Sequence, residues 1–393
     1  MFDQLQATPP DAILGLIAEF NQDPRAEKID LGVGVYRTAD GVTPVLNAVK
    51  SAEQRILETQ DSKAYLGTAG NPAFNAAMQS MTFGDAEDSD RLVTVQAPGG
   101  SGALRVAAAL LMTARKGASV WVSDPTWNNH VPLLGGAGLT LEPYPYYDTE
   151  RHVIRTDAML DALSAVDEGS VVLFHACCHN PSGLDPTEDE WRAITDIVVE
   201  RGLLPFIDMA YQGFARGLDE DAFAVRHMAR HVPEMIVSNS CSKNFGLYRD
   251  RVGALSVLAS DADTAAVIRS QLSSIARTIY SMPPDHGGAI VATILGDDAL
   301  RATWSDELAA MRARILEMRA LLHESLKQAA PDHDFSHLVR ATGMFCFLGL
   351  SGEQVELLKR DHAVYMVGSS RINVAGVTAD NVAHLADAIA SVL

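Results

Sequence analysis

The sequence predicts an α/β protein, with a mostly parallel sheet in a large domain and a smaller α/β lobe beside it. Three observations predict this. First, short continuously apolar runs alternate with helical segments: Ser119–Ser123, Val171–His175, Leu203–Ile207 and Met235–Val237. Uninterrupted apolar strands of this kind belong to parallel sheets covered on both faces. Second, Leu300, Trp304, Leu308, Met311, Ile315, Met318 and Leu322 recur every three or four positions, so one helix is expected from Asp297 to about Gln328, ended by Pro331. Third, 393 residues are too many for one small domain. The expected division is a large domain over 46–297, with 1–45 and 298–393 forming an N-terminal arm and small domain, joined by the long helix at about 298–328.

Taken in order, residues 1–12 are polar, contain Pro9-Pro10, and read as an extended arm suited to packing on another subunit. Ile13–Phe20 reads as a short helix. Ile29–Tyr36 is a strand or turn in which Gly32 and Gly34 let the backbone approach a ligand, although a plain turn fits the same pattern. A helix is expected from Val45 to about Gln60. A loop follows, Ala64-Tyr65-Leu66-Gly67, carrying an aromatic hydroxyl. Gln96–Gly102 is a glycine-rich turn opening the helical segment Ala103–Leu111. Helix N-termini offer unpaired N–H groups and the positive end of the dipole, so Gly100, Ser101 and Gly102 can cradle a phosphate, although a bare helix-start turn fits the same pattern. The turn has neither the lysine of a Walker loop nor dinucleotide-fingerprint spacing. Beyond the long helix, Gly343–Leu350 and Val364–Val374 read as strands and Glu353–Arg360 and Thr378–Leu393 as helices. Arg371, flanked by apolar residues, is either paired in the core or aimed at a carboxylate.

The composition excludes several classes. A formal net charge of −19 argues against nucleic acid, whose phosphates require basic patches. It leaves room for a small anion held by inward arginines. The four cysteines, Cys177, Cys178, Cys241 and Cys346, show no Cys-x-x-Cys spacing, so neither a metal motif nor a disulfide framework is expected. There is no signal-like N-terminus and no run near about 18 apolar residues. A soluble cytoplasmic protein without membrane contact is expected.

The chemistry concentrates where the parallel strands end, which is where such sheets bind ligands. Trp127, Asn180, Asp208 with Tyr211, and Lys243 follow four consecutive strands. Ser240 and Ser242 flank Lys243 with small polar side chains and leave space beside it, and Arg251 adds a fixed charge eight residues on. An amine crowded by cations and partly desolvated loses its proton readily and can attack an aldehyde. For that lysine alone, a solvated polar loop is the simpler reading. Together with a phosphate cradle, a carboxylate, a phenol and a stacking aromatic, it suits pyridoxal 5′-phosphate. Asp208 would hold the pyridine nitrogen protonated, Tyr211 would bond the ring oxygen, and Trp127 would stack on the ring.

The motifs Ser-Cys-Ser-Lys-Asn-Phe-Gly-Leu-Tyr, Cys-Cys-His-Asn-Pro-Ser-Gly, Ser-Asp-Pro-Thr-Trp, Gly-Gly-Ser-Gly-Ala-Leu-Arg and Ser-Arg-Ile-Asn-Val-Ala-Gly resemble the class I aspartate and aromatic-amino-acid aminotransferases, from the N-terminal arm to Leu393. The resemblance implies a fold-type I homodimer with shared active sites, acting on amino acids and 2-oxo acids. It implies that Lys243 holds the cofactor as a Schiff base and then moves the proton between substrate Cα and cofactor C4′. It puts the Ser101 region, Ser240, Ser242 and Arg251 on the phosphate, with Tyr65 from the partner subunit. It puts Asp208 on the ring nitrogen with His130 behind it, and Asn180 and Tyr211 on the ring oxygen. Arg371 would clamp the α-carboxylate, helped by Asn180, Trp127 and the Gly34 backbone, and Arg277 would reach the neighbouring site to bind a side-chain carboxylate. One departure is Ile279, where many relatives carry asparagine. An apolar residue there favours aromatic side chains, and the wording around Lys243 and Arg371 also resembles the aromatic branch. The expected activity is therefore transfer from aromatic, and also dicarboxylic, L-amino acids to 2-oxoglutarate, with aspartate aminotransferase as the alternative. Arg277 and Arg371 together favour this over a lyase or decarboxylase. No Gly-x-Gly-x-x-Gly follows a strand to suggest a dehydrogenase, and a regulator on this fold would need a DNA-binding domain.

Overall fold

The computed structural model describes residues 2–7, 12–84 and 89–393. The Pro9-Pro10 part of the expected arm lies outside the described residues.

A seven-stranded sheet organises the molecule, in the order Leu92–Pro98, Val252–Leu258, Met235–Ser240, Leu204–Met209, Val171–His175, Ser119–Asp124 and Thr140–Pro145. Val252–Leu258 runs antiparallel to both its neighbours; the remaining pairs are parallel. The mostly parallel α/β fold expected from the sequence is the one observed. Three of the strands had no counterpart in the sequence reading: Leu92–Pro98, Thr140–Pro145 and Val252–Leu258. Thr94, Gln96, Gly253 and Ser256 interrupt the apolar pattern of the first and last. The edge strand Thr140–Pro145 carries two prolines, as edge positions allow, and only Tyr144 in it is buried.

Apolar residues alternate between the two faces of the central strands. Leu173, Phe206 and Ile236 pack with Leu104, Ala107 and Leu111 of the helix Gly99–Ala114. Their chain neighbours Phe174, Ile207 and Val237 pack with Trp191, Ile194 and Val198 of the helix Glu188–Glu200. The sheet is thus sandwiched between helices, and its two faces satisfy the period-two direction of strand side chains.

The long helix spans Asp298–Ala329, capped by the Asp297 carboxylate, which accepts from the backbone N–H of Ala299 and Leu300. Its first half gives Trp304, Leu308, Met311 and Ile315 to a core beneath the sheet. Its second half gives Met318, Leu322 and Leu326 to a separate core built with Ile29, Leu31, Leu358, Leu385 and Ile389. One stripe of apolar residues therefore serves two cores. Arg319 lies among them and is 1% exposed.

In the smaller lobe the single strand expected over Val364–Val374 is two. Val364–Tyr365 pairs parallel with Ile29–Asp30, and Arg371–Asn373 pairs antiparallel with Phe345–Phe347. The chain turns between them, with the Ser370 N–H bonded to the Val367 carbonyl and Ser370 at φ 60°. The expected strand Gly343–Leu350 is shorter, Phe345–Phe347. The last helix begins at Val382 rather than Thr378, because Thr378 and Asn381 exchange side-chain-to-backbone hydrogen bonds ahead of it. Among the described residues, no helix is long and apolar enough to cross a membrane.

Candidate active site

The strand ends converge on a cavity of about 220 Å³. It is walled by Gly100 and Ser101 at the start of Gly99–Ala114, by Trp127, His175, Asn180, Asp208 and Tyr211 beyond the parallel strands, and by Ser240, Ser242, Lys243 and Arg251. Gly34, Phe345 and Arg371 close it from the side of the smaller lobe. Residues far apart in sequence meet here because parallel connections bring every strand's C-terminal end to one edge.

The phosphate-sized end of the cavity is built by close approach. The strand Leu92–Pro98 ends and the helix begins at once, so the glycines that read as a turn form the helix's first turn. Gly99 has φ 70°, and a Cβ there would lie 2.4 Å from Arg251 Nη2. A Cβ on Gly100 would stand 3.1 Å from Ser240 Cβ. Arg251 Nη1 donates to the Tyr248 carbonyl at 3.0 Å and to Ser242 Oγ at 3.4 Å. The free N–H groups of the helix start, two hydroxyls and a guanidinium thus face one small volume. Gly102 does not line it; a Cβ there would meet Pro98.

Asp208 is buried at the opposite end and accepts from His130 Nε2 at 3.0 Å. His130 Nδ1 is 2.8 Å from Thr126 Oγ1, which is also 3.2 Å from His175 Nε2. Burial works to raise the Asp208 carboxyl, but the His130 hydrogen bond and nearby positive charge outweigh it and leave the carboxyl below its ordinary value. Burial pushes His175 down to about 3, so it is neutral at ordinary pH and the His130 bond is the support that counts. An anionic carboxylate held this way is suited to pairing with a ring N–H⁺.

Lys243 borders the cavity, with Nζ 5.1 Å from the Tyr211 ring centre. Its pKa falls to about 8, chiefly through burial; Asp208 opposes the fall and Arg251 adds to it. Of the two causes expected from the sequence, desolvation is the greater and crowding by cations the lesser. The loop is fixed from behind, where Phe245 stacks on Trp304 at 4.4 Å and Trp304 Nε1 donates to the Asn244 carbonyl at 2.7 Å. Burial also raises the Tyr211 phenol. Trp127 stands edge-on to His130.

Arg371, left open by the sequence, is buried with its guanidinium carbon 4.4 Å from the Phe345 ring centre. Its Nη2 donates to the Gly32 carbonyl at 2.8 Å, and its Nε has no partner. Asn180 Oδ1 is likewise buried without a partner. Orphaned polar atoms beside a cavity are open to hydrogen bonds from a ligand. A Cβ on Gly34 would come 3.0 Å from Phe345 Cζ, so glycine permits this closure.

Tyr65 and Arg277 line no part of this cavity. Tyr65 is 93% exposed, and Arg277 lies exposed in the last turn of Ala262–Ile279, bonded to Ser281 Oγ. His175, Phe345 and Ile13 line the cavity without having been singled out. His175 was visible as the end of a strand, whereas Phe345 and Ile13 gave no signal apart from their apolar surroundings. Cys177, Cys178 and Asp221 approach within 4.8 Å of one another. The Asp221 carboxylate is filled by the N–H groups of Gly213, Ala215, Arg216 and Gly217, and both thiols are raised. This cluster reads as a loop cap, not as a metal centre.

Residues 26–389 match the family model for class I and II aminotransferases. The chain belongs to that family. It is 48% identical to the aspartate aminotransferase of Escherichia coli over 396 residues, covering all of both chains. It is 47% identical to the aromatic-amino-acid aminotransferase of Pseudomonas aeruginosa, covering all of this chain and 98% of that one. A solved aromatic-amino-acid aminotransferase from Burkholderia pseudomallei, with pyridoxal phosphate covalently bound, superposes with a TM-score of 0.97 at 44% identity, over all of this chain and 99% of that one. The residues of this aminotransferase fit that cofactor. The glycine cradle at Arg251 has room for a phosphate, the ionised Asp208 could accept a ring N–H, Asn180 Oδ1 has no partner of its own, and the desolvated Lys243 could supply the amine.

Proposed function

We propose that this aminotransferase moves the amino group of aromatic, and also dicarboxylic, L-amino acids to 2-oxoglutarate by a ping-pong cycle. The observation that carries the reading is the meeting in one cavity of Lys243, Asp208 and Arg371, whose Nε has no partner. Bound pyridoxal phosphate supplies an aldehyde for the amine and a protonated ring that draws electrons from the substrate Cα. Gly100, Ser101, Ser240, Ser242 and Arg251 would hold its phosphate, while Asp208, oriented by His130, would keep the ring nitrogen protonated. Asn180 and Tyr211 would hold the ring oxygen, and Trp127 would stack on the ring. Arg371 grips the α-carboxylate through its free Nε and a terminal nitrogen, the bidentate geometry that guanidinium favours, with Asn180, Trp127 and the Gly34 backbone alongside. Lys243 Nζ takes the Cα proton. A lysine near 8 is poised for this at neutral pH, where an ordinary one is almost wholly protonated.

The working unit in this reading is a homodimer. Tyr65 and Arg277 stand exposed on the single chain, together with Leu57, Val267 and Ile279, and a second copy brings Tyr65 to the phosphate and Arg277 to the far end of the substrate. The apolar Ile279 favours aromatic donors, and retention of Arg277 supports handling of glutamate and 2-oxoglutarate.

The purified enzyme is expected to be yellow and to lose its Schiff-base absorbance in Lys243→Ala. A colourless wild type that ignores added pyridoxal phosphate would remove the reading. A panel of tyrosine, phenylalanine, tryptophan and aspartate with 2-oxoglutarate ranks the donors. Arg277→Ala is expected to weaken aspartate and 2-oxoglutarate far more than phenylalanine, and equal losses would show that Arg277 does not bind the distal carboxylate.

A further inference from the structure

Arg319 is buried on the long helix; it bonds chiefly to main-chain oxygens, with a further contact to the Cys346 thiol, and among the described residues it meets no carboxylate. Nη1 donates to the Leu338 carbonyl at 3.1 Å. Nε donates to the Gly343 carbonyl at 3.3 Å, and Nη2 donates to those of Thr342, Gly343 and Phe345 at 3.1, 2.7 and 2.7 Å. A guanidinium placed in a core so thoroughly bonded is a planar staple with a fixed fork of donors, which a lysine cannot copy.

What it staples is the wall of the cavity. The Phe345 ring carries the Arg371 guanidinium on its face, meets Tyr211 edge-on at 6.0 Å, and abuts Gly34. The other side of the same segment is locked to the loop that carries Asn180. Thr342 N donates to the Gly183 carbonyl at 2.6 Å, and Thr342 Oγ1 donates to Asp185, whose carboxylate also accepts from Cys178 N and His179 N at 2.8 Å. The backbones touch so closely that a Cβ on Gly183 would lie 2.2 Å from the Phe345 oxygen. A small shift of the 342–345 segment would therefore move Phe345, and with it the support under Arg371.

We propose that Arg319 is a positioning residue for substrate-carboxylate binding, acting through the main chain of Thr342–Phe345 and the Phe345 ring to hold Arg371 in place. This rests on the reading of Arg371 as the α-carboxylate group. The alternative is that Arg319 only fastens the smaller lobe to the long helix.

The test uses the cofactor-loaded enzyme with Arg319→Lys, Phe345→Leu and the double variant. Arg319→Lys keeps the charge and loses the fork. It is expected to raise the KM for the amino donor and the Kd of 3-phenylpropionate about tenfold, while kcat at saturation changes by less than about threefold. O-methylhydroxylamine, an amine without a carboxylate, should react with the bound cofactor at an unchanged rate. The effects of Arg319→Lys and Phe345→Leu on carboxylate binding should be clearly less than additive in the double variant, because the two act in series. The proposal is overturned if Arg319→Lys lowers only the melting temperature, or if kcat, KM and hydroxylamine reactivity all deteriorate together. Additive effects overturn it too, as does an Arg319→Lys enzyme that cannot fold and load cofactor, since Arg319 would then serve the fold. Arg371→Lys is measured in parallel: unaltered carboxylate binding there would refute the Arg371 reading itself, independently of Arg319.

Discussion

Replacing Lys243 by methionine in the cofactor-free enzyme should stabilise it at neutral pH, although the residue is central to the proposed reaction. In the folded chain the lysine titrates at about 8 instead of the ordinary 10.5. At about 1.4 kcal/mol per pH unit, holding the charged amine in this site costs about 3 kcal/mol, less whatever the bordering cavity water returns. The sign follows from proton binding. Between about 8 and 10.5 the unfolded chain holds a proton that the folded chain lacks, so wild-type stability rises with pH across that window. Below 8 the full penalty applies. Methionine carries no such penalty, so its advantage should be greatest below pH 8 and fade towards 10.5. For a chain of 393 residues, unfolding entropy makes 1 kcal/mol worth about 1 °C in Tm, so about 3 °C is expected. Thermal melting followed by circular dichroism at intervals from pH 7 to 10.5 reads this directly. Methionine's own packing contribution does not change with pH, so only the pH-dependent part is diagnostic. A difference that stays flat or grows across the window would refute the view that Lys243 is held desolvated.

Other changes probe the supports of the site. His130→Leu leaves Asp208 with burial and without its main hydrogen bond, so the carboxyl should rise. Cofactor affinity in that variant should fall as pH drops from 8 to 6, where wild type stays level, as read by fluorescence titration. Gly99→Ala forces a methyl against the Arg251 guanidinium at a φ of 70°. Because a side-chain end can yield, the expected result is a folded protein with about tenfold weaker cofactor binding, measured by reconstitution. Gly183→Ala is different, since its Cβ meets a backbone oxygen at 2.2 Å and φ is 72°. That clash cannot be relieved by a rotamer, and about 2–4 kcal/mol of stability should be lost in denaturant unfolding.

How far the sequence reveals such a site depends on what each residue leaves in the local pattern. Lys243, Asp208, Asn180 and Trp127 stand out because an apolar strand ends and a polar residue interrupts it. The topology of parallel sheets then says where they meet, so their convergence is readable without coordinates. The long helix was legible for the same reason: its period is written in seven apolar side chains. The antiparallel strand Val252–Leu258 was not, because Gly253 and Ser256 break the run where backbones pack tightly; a Cβ on Gly253 would lie 2.5 Å from the Gly99 carbonyl carbon. Phe345 and Arg319 were hidden more deeply. Phe345 looks like any core aromatic until its ring is found under Arg371. Arg319 stands in a helix where an arginine ordinarily points to water, and nothing nearby in sequence marks the carbonyls it collects. The polar residues that line the cavity break a pattern and so announce themselves. Those that hold such residues in place obey the pattern, or depart from it for partners some twenty positions away, and only the folded chain distinguishes them from ordinary core.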